Sequence, residues 1–388
     1  MKIPTKDPIL NHKFIILCGD HYNPLGLIRS LGEAGVKPIV ILAAHAPFLV
    51  PKSKHIGQLH KVENNALGFS FLLEKYGNEP EKPFLFSCSD DIESLLDEHY
   101  ETLKKKFYFF DGGSAGRITG LMNKDEINKL AARCGARIPR SEVVERGVLP
   151  TGVPYPVITK SIASTVGGWK NDVYVCRNEA ELREAYAKIE TPVVLVEEFI
   201  EKKNELCVDG ISINGGEYVY MPLKCHYIRF TDKAYGNFMT MAPFEEGETK
   251  QLITEIIRAT KFTGIFSIEF LVTKNDELVF LEVNFRNSTW SYSATHAGAN
   301  LPIIWARSVL KGSLDLTDVA VSPEPFTAMA EQADFNDHVR HGDLSLRQWL
   351  KDFHTCPCTY VYDPKNRKPF FALIWHSLKM IFEKKFRK

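Results

Sequence analysis

A chain of 388 residues is too long for one ordinary hydrophobic core and predicts two or three domains. Hydrophobic residues make up 44% and charged residues 25%, the balance of a soluble globular protein. The 48 Lys and Arg are matched by 48 Asp and Glu, which excludes bulk electrostatic attraction to nucleic acid and leaves only a local patch open to it.

Residues 1–12 are polar and contain proline, with no apolar stretch, which predicts no secretory leader and a reduced, cytoplasmic compartment. Phe14–Cys18 reads as a buried strand, followed by a glycine turn over residues 19–26 and a helix beginning at Leu27. Gly35 stops that helix, and residues 38–42 form a second strand, so the segment predicts a βαβ unit. Gly19 and Gly26 do not spell the dinucleotide fingerprint, so no NAD site is expected. Residues 83–87 give another strand, ending in Cys88-Ser89-Asp90-Asp91 ahead of a helix over residues 92–100. Polar groups at that strand end lie where open α/β sheets bind ligands, or else Ser89 or Asp90 caps the helix.

In residues 122–140, Ile127, Leu130 and Ala131 recur at helical spacing, with Gly135 as the stop. Asn123 is placed to cap that helix, with Glu126 three residues on, and Lys124 opens it. A β-branched strand then ends on Lys160 and runs into a loop of small residues, 161–168, that includes Ser164, Gly167 and Gly168. Small residues let backbone N–H groups approach phosphate closely, and the lysine adds a compact positive charge. Residues 193–196 read as a buried strand leading into Glu197-Glu198-Phe199-Ile200, then a loop over 201–204 and Glu205. Arg229 and Lys233 either meet an anionic substrate or lie on a solvated loop.

Residues 264–286, GIFSIEFLVTKNDELVFLEVNFR, carry the densest signal. Two apolar runs flank the polar turn at 273–277, which predicts a hairpin. Each run contains a carboxylate where an apolar residue is expected: Glu269 and Glu282. Strand alternation puts Asn284 on the same face as Glu282, and Arg286 continues the spacing. Two carboxylates and an amide make a hard-oxygen set suited to magnesium with phosphate ligands. The alternative is an edge hairpin with solvated charges. Cysteines such as Cys18 and Cys207 sit in apolar runs and read as buried thiols. Cys356-Pro357-Cys358 lacks the spacing and the second ligand pair of a zinc site.

The stretch ending Glu282-Val283-Asn284-Phe285-Arg286, after a strand bearing Glu269, resembles the metal-binding hairpin of the ATP-grasp enzymes, which usually ends E-x-N-P-R. Phe285 stands where that motif has proline. The resemblance covers roughly residues 120–315, with the upstream segments in the order the family requires. It implies an α/β protein with an ATP-grasp fold and an N-terminal Rossmann-like domain. The implied divisions are a Rossmann-like domain at 1–118, an ATP-grasp domain at 119–315 with its lid at about 150–210, and an extension at 316–388. It also implies ATP with magnesium, or manganese, as cofactor. Lys124, Lys160 and the 161–168 loop would hold phosphates. Glu197 would meet the adenine amino group, and Glu198, Phe199 and Ile200 would hold adenine partly through backbone groups. Glu205, or Asn204 in its place, would accept the ribose hydroxyls. Glu269, Glu282 and Asn284 would be metal ligands, and Arg286 with Lys160 would act in catalysis.

The N-terminal unit, the Ser89-Asp90-Asp91 element, Tyr235-Gly236-Asn237 and the hairpin together are similar to the D-aspartate ligase branch of ATP-grasp carboxylate–amine ligases. That branch tends to carry Arg-Gln-Gly-Arg after the metal asparagine; here Arg286-Asn287-Ser288-Thr289 lacks the second arginine, which removes one bidentate carboxylate clamp and argues against a dicarboxylate substrate. The implied activity is amide bond formation through an acyl phosphate, joining a carboxylate to an amine or amino acid, with a cell-envelope precursor as one acceptor class. Other outcomes of the same family are carboxylation or phosphotransfer, and a non-catalytic ATP-binding regulator is the alternative from another class. His296 is the candidate base. A homodimer is compatible with the sequence.

Residues 363–388 hold eight Lys or Arg against two Asp or Glu, with Phe370, Ile374, Leu378 and Ile381 at helical spacing. Phe371, Trp375 and Phe382 broaden the apolar face. The apolar stretch is too short to cross a bilayer, so this helix either docks on the protein's own body or lies at the inner face of a membrane.

Overall fold

The structure is a computed structural model that describes residues 2–4, 7–162, 172–231 and 234–386. Three sheets organise it. In the first, four parallel strands run in the order Gln58–Val62, Ile39–Ala43, Phe14–Cys18, Phe84–Ser87. Phe14–Cys18 is buried at every residue, as an all-apolar strand must be when it is central and helices cover both faces. Helix Tyr22–Glu33 starts where His21 accepts a hydrogen bond from the Asn23 N–H, and its inner stripe packs Leu27, Ile28 and Leu31 onto that sheet. Gln58–Val62 and the helix Asn65–Tyr76 were not evident from the sequence, because QLHKV is a half-exposed edge strand without clean alternation.

The second sheet has seven strands in the order Leu278–Asn284, Gly264–Thr273, Lys202–Ile213, Tyr218–Thr231, Ala234–Pro243, Phe326–Met329, Cys358–Thr359. Lys202–Ile213 is an interior strand, where nine consecutive buried residues show both faces covered. Gly210 lies at a close crossing: a Cβ there would meet Tyr220 O and Phe266 Cζ at 2.7 Å. The strand starts at Lys202, so residues 202–204 are strand rather than the loop expected from their polarity; pairing with Gly264–Thr273 overrides local propensity.

The third sheet is small and antiparallel, ordered Ser141–Glu145, Val193–Glu198, Val157–Lys160, Val175–Cys176. Val157, Cys176, Val194 and Val196 of this sheet make a core of their own with Leu182 of the helix Glu179–Tyr186. The Val193–Glu198 strand runs two residues past the expected end and takes Glu197 and Glu198 into the sheet.

Helix Lys124–Arg133 begins as expected: the Asn123 side chain accepts from the Asp125 and Glu126 N–H groups, at 3.0 and 3.3 Å. The reciprocal half of a capping box is missing, because the Asn123 N–H goes to Gly120 O and Glu126 pairs with Lys129. The helix ends at Arg133, followed by Gly135 at φ +94°. All eight cysteines are free thiols. No helix among the described residues is long and apolar enough to cross a membrane.

Candidate functional site

Cross-strand register in the seven-stranded sheet builds a polar row on one face. Residues directly opposite in an antiparallel pair point the same way. Cys207 pairs with Glu269, and Glu269 with Glu282, so Glu269 and Glu282 stand side by side beyond the buried Cys207. The next row runs Asp209, Ser267, Asn284. A register shift between Glu269 and Phe270 inserts Leu281 as an extra residue. Phe280 then faces Phe270 in the core while Glu282, of the same parity, faces Glu269. This bulge turns the carboxylate out of the phenylalanine face.

The two carboxylates are held against their own repulsion. The Asn284 side-chain amide donates toward Glu269 Oε1 at 3.3 Å and Glu282 Oε1 at 3.2 Å. Burial, and then the Glu282 charge, push the Glu269 carboxyl well above the usual carboxylate range. An amide N–H between two like charges supplies the positive end that a cation would supply more strongly. Among the described residues no group of three or more His, Cys, Asp or Glu is placed to hold a metal ion, so a metal here would rest on two carboxylates and an amide oxygen. That donor set is all hard oxygen and short of a full shell, so these residues would suit magnesium bound together with phosphate.

Arg286 closes the row. Its Nε donates to Asp90 Oδ1 at 2.7 Å and its Nη2 to Asn284 Oδ1 at 3.0 Å. Asp90 opens the helix Asp90–Glu98 of the first sheet, so that sheet's strand end and the hairpin meet through this ion pair. Ser89 is the N-cap but makes no capping side-chain bond, and Asp90 serves the arginine instead. The Nε–Nη2 edge of the guanidinium is therefore occupied within the protein. A free bidentate clamp for a substrate carboxylate is not what the geometry offers, and the Nη1 edge remains for an anion.

A basic pair faces this row. The Lys124 ammonium donates to Ser161 O at 3.3 Å. Burial and the nearby Lys160 lower its pKa, against the opposing pull of Glu282, Glu197 and Asp90, so charges from all three sheets converge on it. Lys160 forms an ion pair with Glu197, whose side chain is 3% exposed against 17% for Lys160. Register explains the pair: Ile158 lies opposite Glu197, and Lys160 is two residues along the same face. Asn128, one turn after Lys124, donates to Glu197 Oε1 at 3.3 Å. Asn128 escaped the sequence reading, although its spacing of four from Lys124 places both on one helix face.

The remaining expected nucleotide contacts lie along the same edge. The Glu198 N–H donates to Arg140 O and the Phe199 N–H to Pro156 O, both at 2.8 Å, which leaves Ile200 as the backbone donor for a base. Glu205 is buried and its Oε1 takes the Lys202 ammonium at 2.6 Å, while Oε2 has no hydrogen-bond partner. Asn204 is committed elsewhere: its amide closes on the backbone of Tyr227 at 2.8 and 3.0 Å. Of the two ribose candidates, Glu205 retains an open acceptor. Ser164, Gly167, Gly168 and Lys233 lie outside the described residues.

Two expected residues belong elsewhere. The Arg229 guanidinium forks onto Asp334 at 2.6 and 3.2 Å and reaches Asp352 at 2.5 Å, so it is a structural tie rather than a substrate contact. His296 packs against Phe326, and the charges acting on it are Arg29 and Glu33, not the hairpin carboxylates. Asp209, which the sequence did not single out, sits buried beside the row and accepts from Ser288 Oγ. Burial lifts its pKa to about 7, with Ser288 and Arg286 pulling the other way.

Residues 134–293 match the family model described as the ATP-grasp domain, and the matched span holds Lys160, Glu197, Glu205 and the whole hairpin. Over that span the chain carries an ATP-grasp domain. Its fold is that of the ATP-grasp proteins. It is 24% identical over 206 residues to the N5-carboxyaminoimidazole ribonucleotide synthase of Staphylococcus epidermidis, covering 50% of this chain and 51% of that one. The Staphylococcus haemolyticus protein of the same name is 24% identical over 230 residues, 56% of this chain and 59% of its own. The chain thus spans about half the length of the curated relatives it matches. Among solved structures, the L-amino acid ligase from Bacillus licheniformis superposes with a TM-score of 0.62 at 14% identity, covering 82% of this chain and 80% of the other. The N5-carboxyaminoimidazole synthetase from Staphylococcus aureus complexed with ADP gives 0.64 at 15% identity, covering 85% of each chain.

Proposed function

We propose that this ATP-grasp protein is an ADP-forming carboxylate–amine ligase. The observation that carries the proposal is the convergence of Lys124, Lys160 and Glu197 on the Glu269–Glu282–Asn284 row, with Arg286 at its end. Lysines opposite paired carboxylates make a place for a polyphosphate with its metal between them. Lys124 and Lys160 neutralise phosphate oxygens. Glu197 sets the Lys160 ammonium and, with Ile200, lies where an adenine edge would be read. Glu205 offers its open oxygen to a ribose hydroxyl. Glu269, Glu282 and Asn284 would hold magnesium, which supplies charge neutralisation for phosphoryl transfer.

In the proposed reaction an acceptor carboxylate, met by the Nη1 edge of Arg286, attacks the γ-phosphorus and ADP leaves. The amine nitrogen then attacks the acyl carbon, phosphate departs and the ammonium proton is lost, leaving an amide. The relatives' names and the fold support this reaction type, with an amino acid as one candidate amine. Bicarbonate belongs in the substrate panel because it presents the same anionic O–C–O group to the γ-phosphorus. The test is phosphate release from ATP across amino acids, mono- and dicarboxylates and bicarbonate, singly and in pairs. Release that needs one carboxylate and rises with one amine supports the proposal, whereas release independent of both contradicts it.

A further inference from the structure

The last helix, Lys368–Phe386, shows two faces over residues 368–380, one packed against the protein and one exposed. On the inner face Leu373 is buried with Leu25 and Leu49, Phe370 stacks on Phe353 at 5.8 Å, and the His376 ring lies flat on Phe48 at 3.8 Å. Ser377 Oγ accepts from Gln332 at 3.1 Å and completes the seam. The outer face repeats at i, i+3, i+4, i+7: Phe371, Ile374, Trp375 and Leu378, exposed to 60%, 40%, 74% and 45%. A stripe of large apolar side chains turned to solvent along one helix, while the opposite face is already packed, points to an occupant.

Charge identifies it. Arg367 and Lys368 are exposed just before the stripe, and Lys379 is exposed one turn after Trp375. The sequence continues with Lys384, Lys385, Arg387 and Lys388, against Glu383 as the one acid after residue 363. The stripe is therefore bracketed by positive charge at both ends. We propose that Lys368–Phe386 docks on an anionic phospholipid surface, with Phe371, Ile374, Trp375 and Leu378 entering the acyl boundary and the flanking Lys and Arg meeting phosphate headgroups. A second copy of the chain fits less well. Four side chains on one helix offer far less than the roughly 800 Å² per partner of a stable interface, and a two-fold pairing would bring the basic flanks together. The inference stands apart from the ligase proposal, because lipid binding requires no ATP and no acceptor.

The experiment is flotation of the full-length protein with vesicles of phosphatidylcholine alone and of phosphatidylcholine with phosphatidylglycerol. Phe371→Ser with Trp375→Ser removes the apolar contact from exposed positions, and thermal melting confirms that this variant folds. The expected result is binding only to the anionic vesicles, weakened by salt and reduced about tenfold or more in the double variant. Absence of binding to anionic vesicles, or equal binding by the double variant, overturns the proposal. So does a lipid-free dimer, seen by light scattering, that the double variant abolishes.

Discussion

Asp209 gives the sharpest physical test of the polar row. Its side chain is buried, 6% exposed, and burial lifts its pKa from 3.8 to about 7. The sign follows from proton binding. Above 3.8 the unfolded chain releases this proton while the folded chain keeps it, so stability falls as pH rises toward 7 and levels off beyond. About three pH units of displacement correspond to about 4 kcal/mol in full. Between about pH 5 and pH 8 the loss is about 3 kcal/mol, because the rest falls below pH 5. Asp209→Asn keeps the shape and a partner for Ser288 but cannot titrate. The metal-free variant should therefore gain about 3 kcal/mol on wild type between pH 5 and pH 8, read from urea unfolding at both values. The difference between the two proteins cancels the titration of buried acids that Asp209 does not act on, such as Glu93 and Glu331. Parallel stability profiles for wild type and variant would refute the claim that Asp209 is held protonated by its surroundings.

Other consequences are more local. On the proposed reaction, Glu282→Ala and Asn284→Ala should each abolish ATP-dependent turnover, by about a hundredfold or more, while the melting temperature stays within a few degrees of wild type, because they would remove metal ligands rather than core. Asn123→Ala should cost about 1 kcal/mol in unfolding measurements and raise the KM for ATP, since the helix it caps carries Lys124 and Asn128. Arg229→Met should cost about 3 kcal/mol in stability and leave the KM values unchanged, because it strands the fully buried Asp334 and touches no substrate. A selective rise in KM with stability intact would restore Arg229 to the site.

How much of this was legible in the chain depended on whether its cause was local. The hairpin was, because Glu269 and Glu282 interrupt apolar runs across a turn. The bulge was not: Leu281 is as apolar as its neighbours, and strict alternation would place Glu282 with Phe280 in the core. Lys160, Glu197 and the Asn123 cap were visible from strand ends and helix starts. The Asp90–Arg286 pair joins residues 196 apart, so Asp90 could be read as a polar strand end but not as the arginine's partner. Arg229 failed for the same reason, since its acids follow 105 and 123 residues later.

The central claim is that an acyl phosphate forms at this site, and hydroxylamine trapping tests it most directly. Enzyme, ATP, magnesium and the carboxylate identified by the substrate panel, with hydroxylamine in place of the amine, should yield a hydroxamate and an equal amount of ADP. Omitting the carboxylate, or substituting Glu282→Ala, should remove both products. Release of AMP and pyrophosphate with the hydroxamate would instead mean adenylation, and would contradict the account.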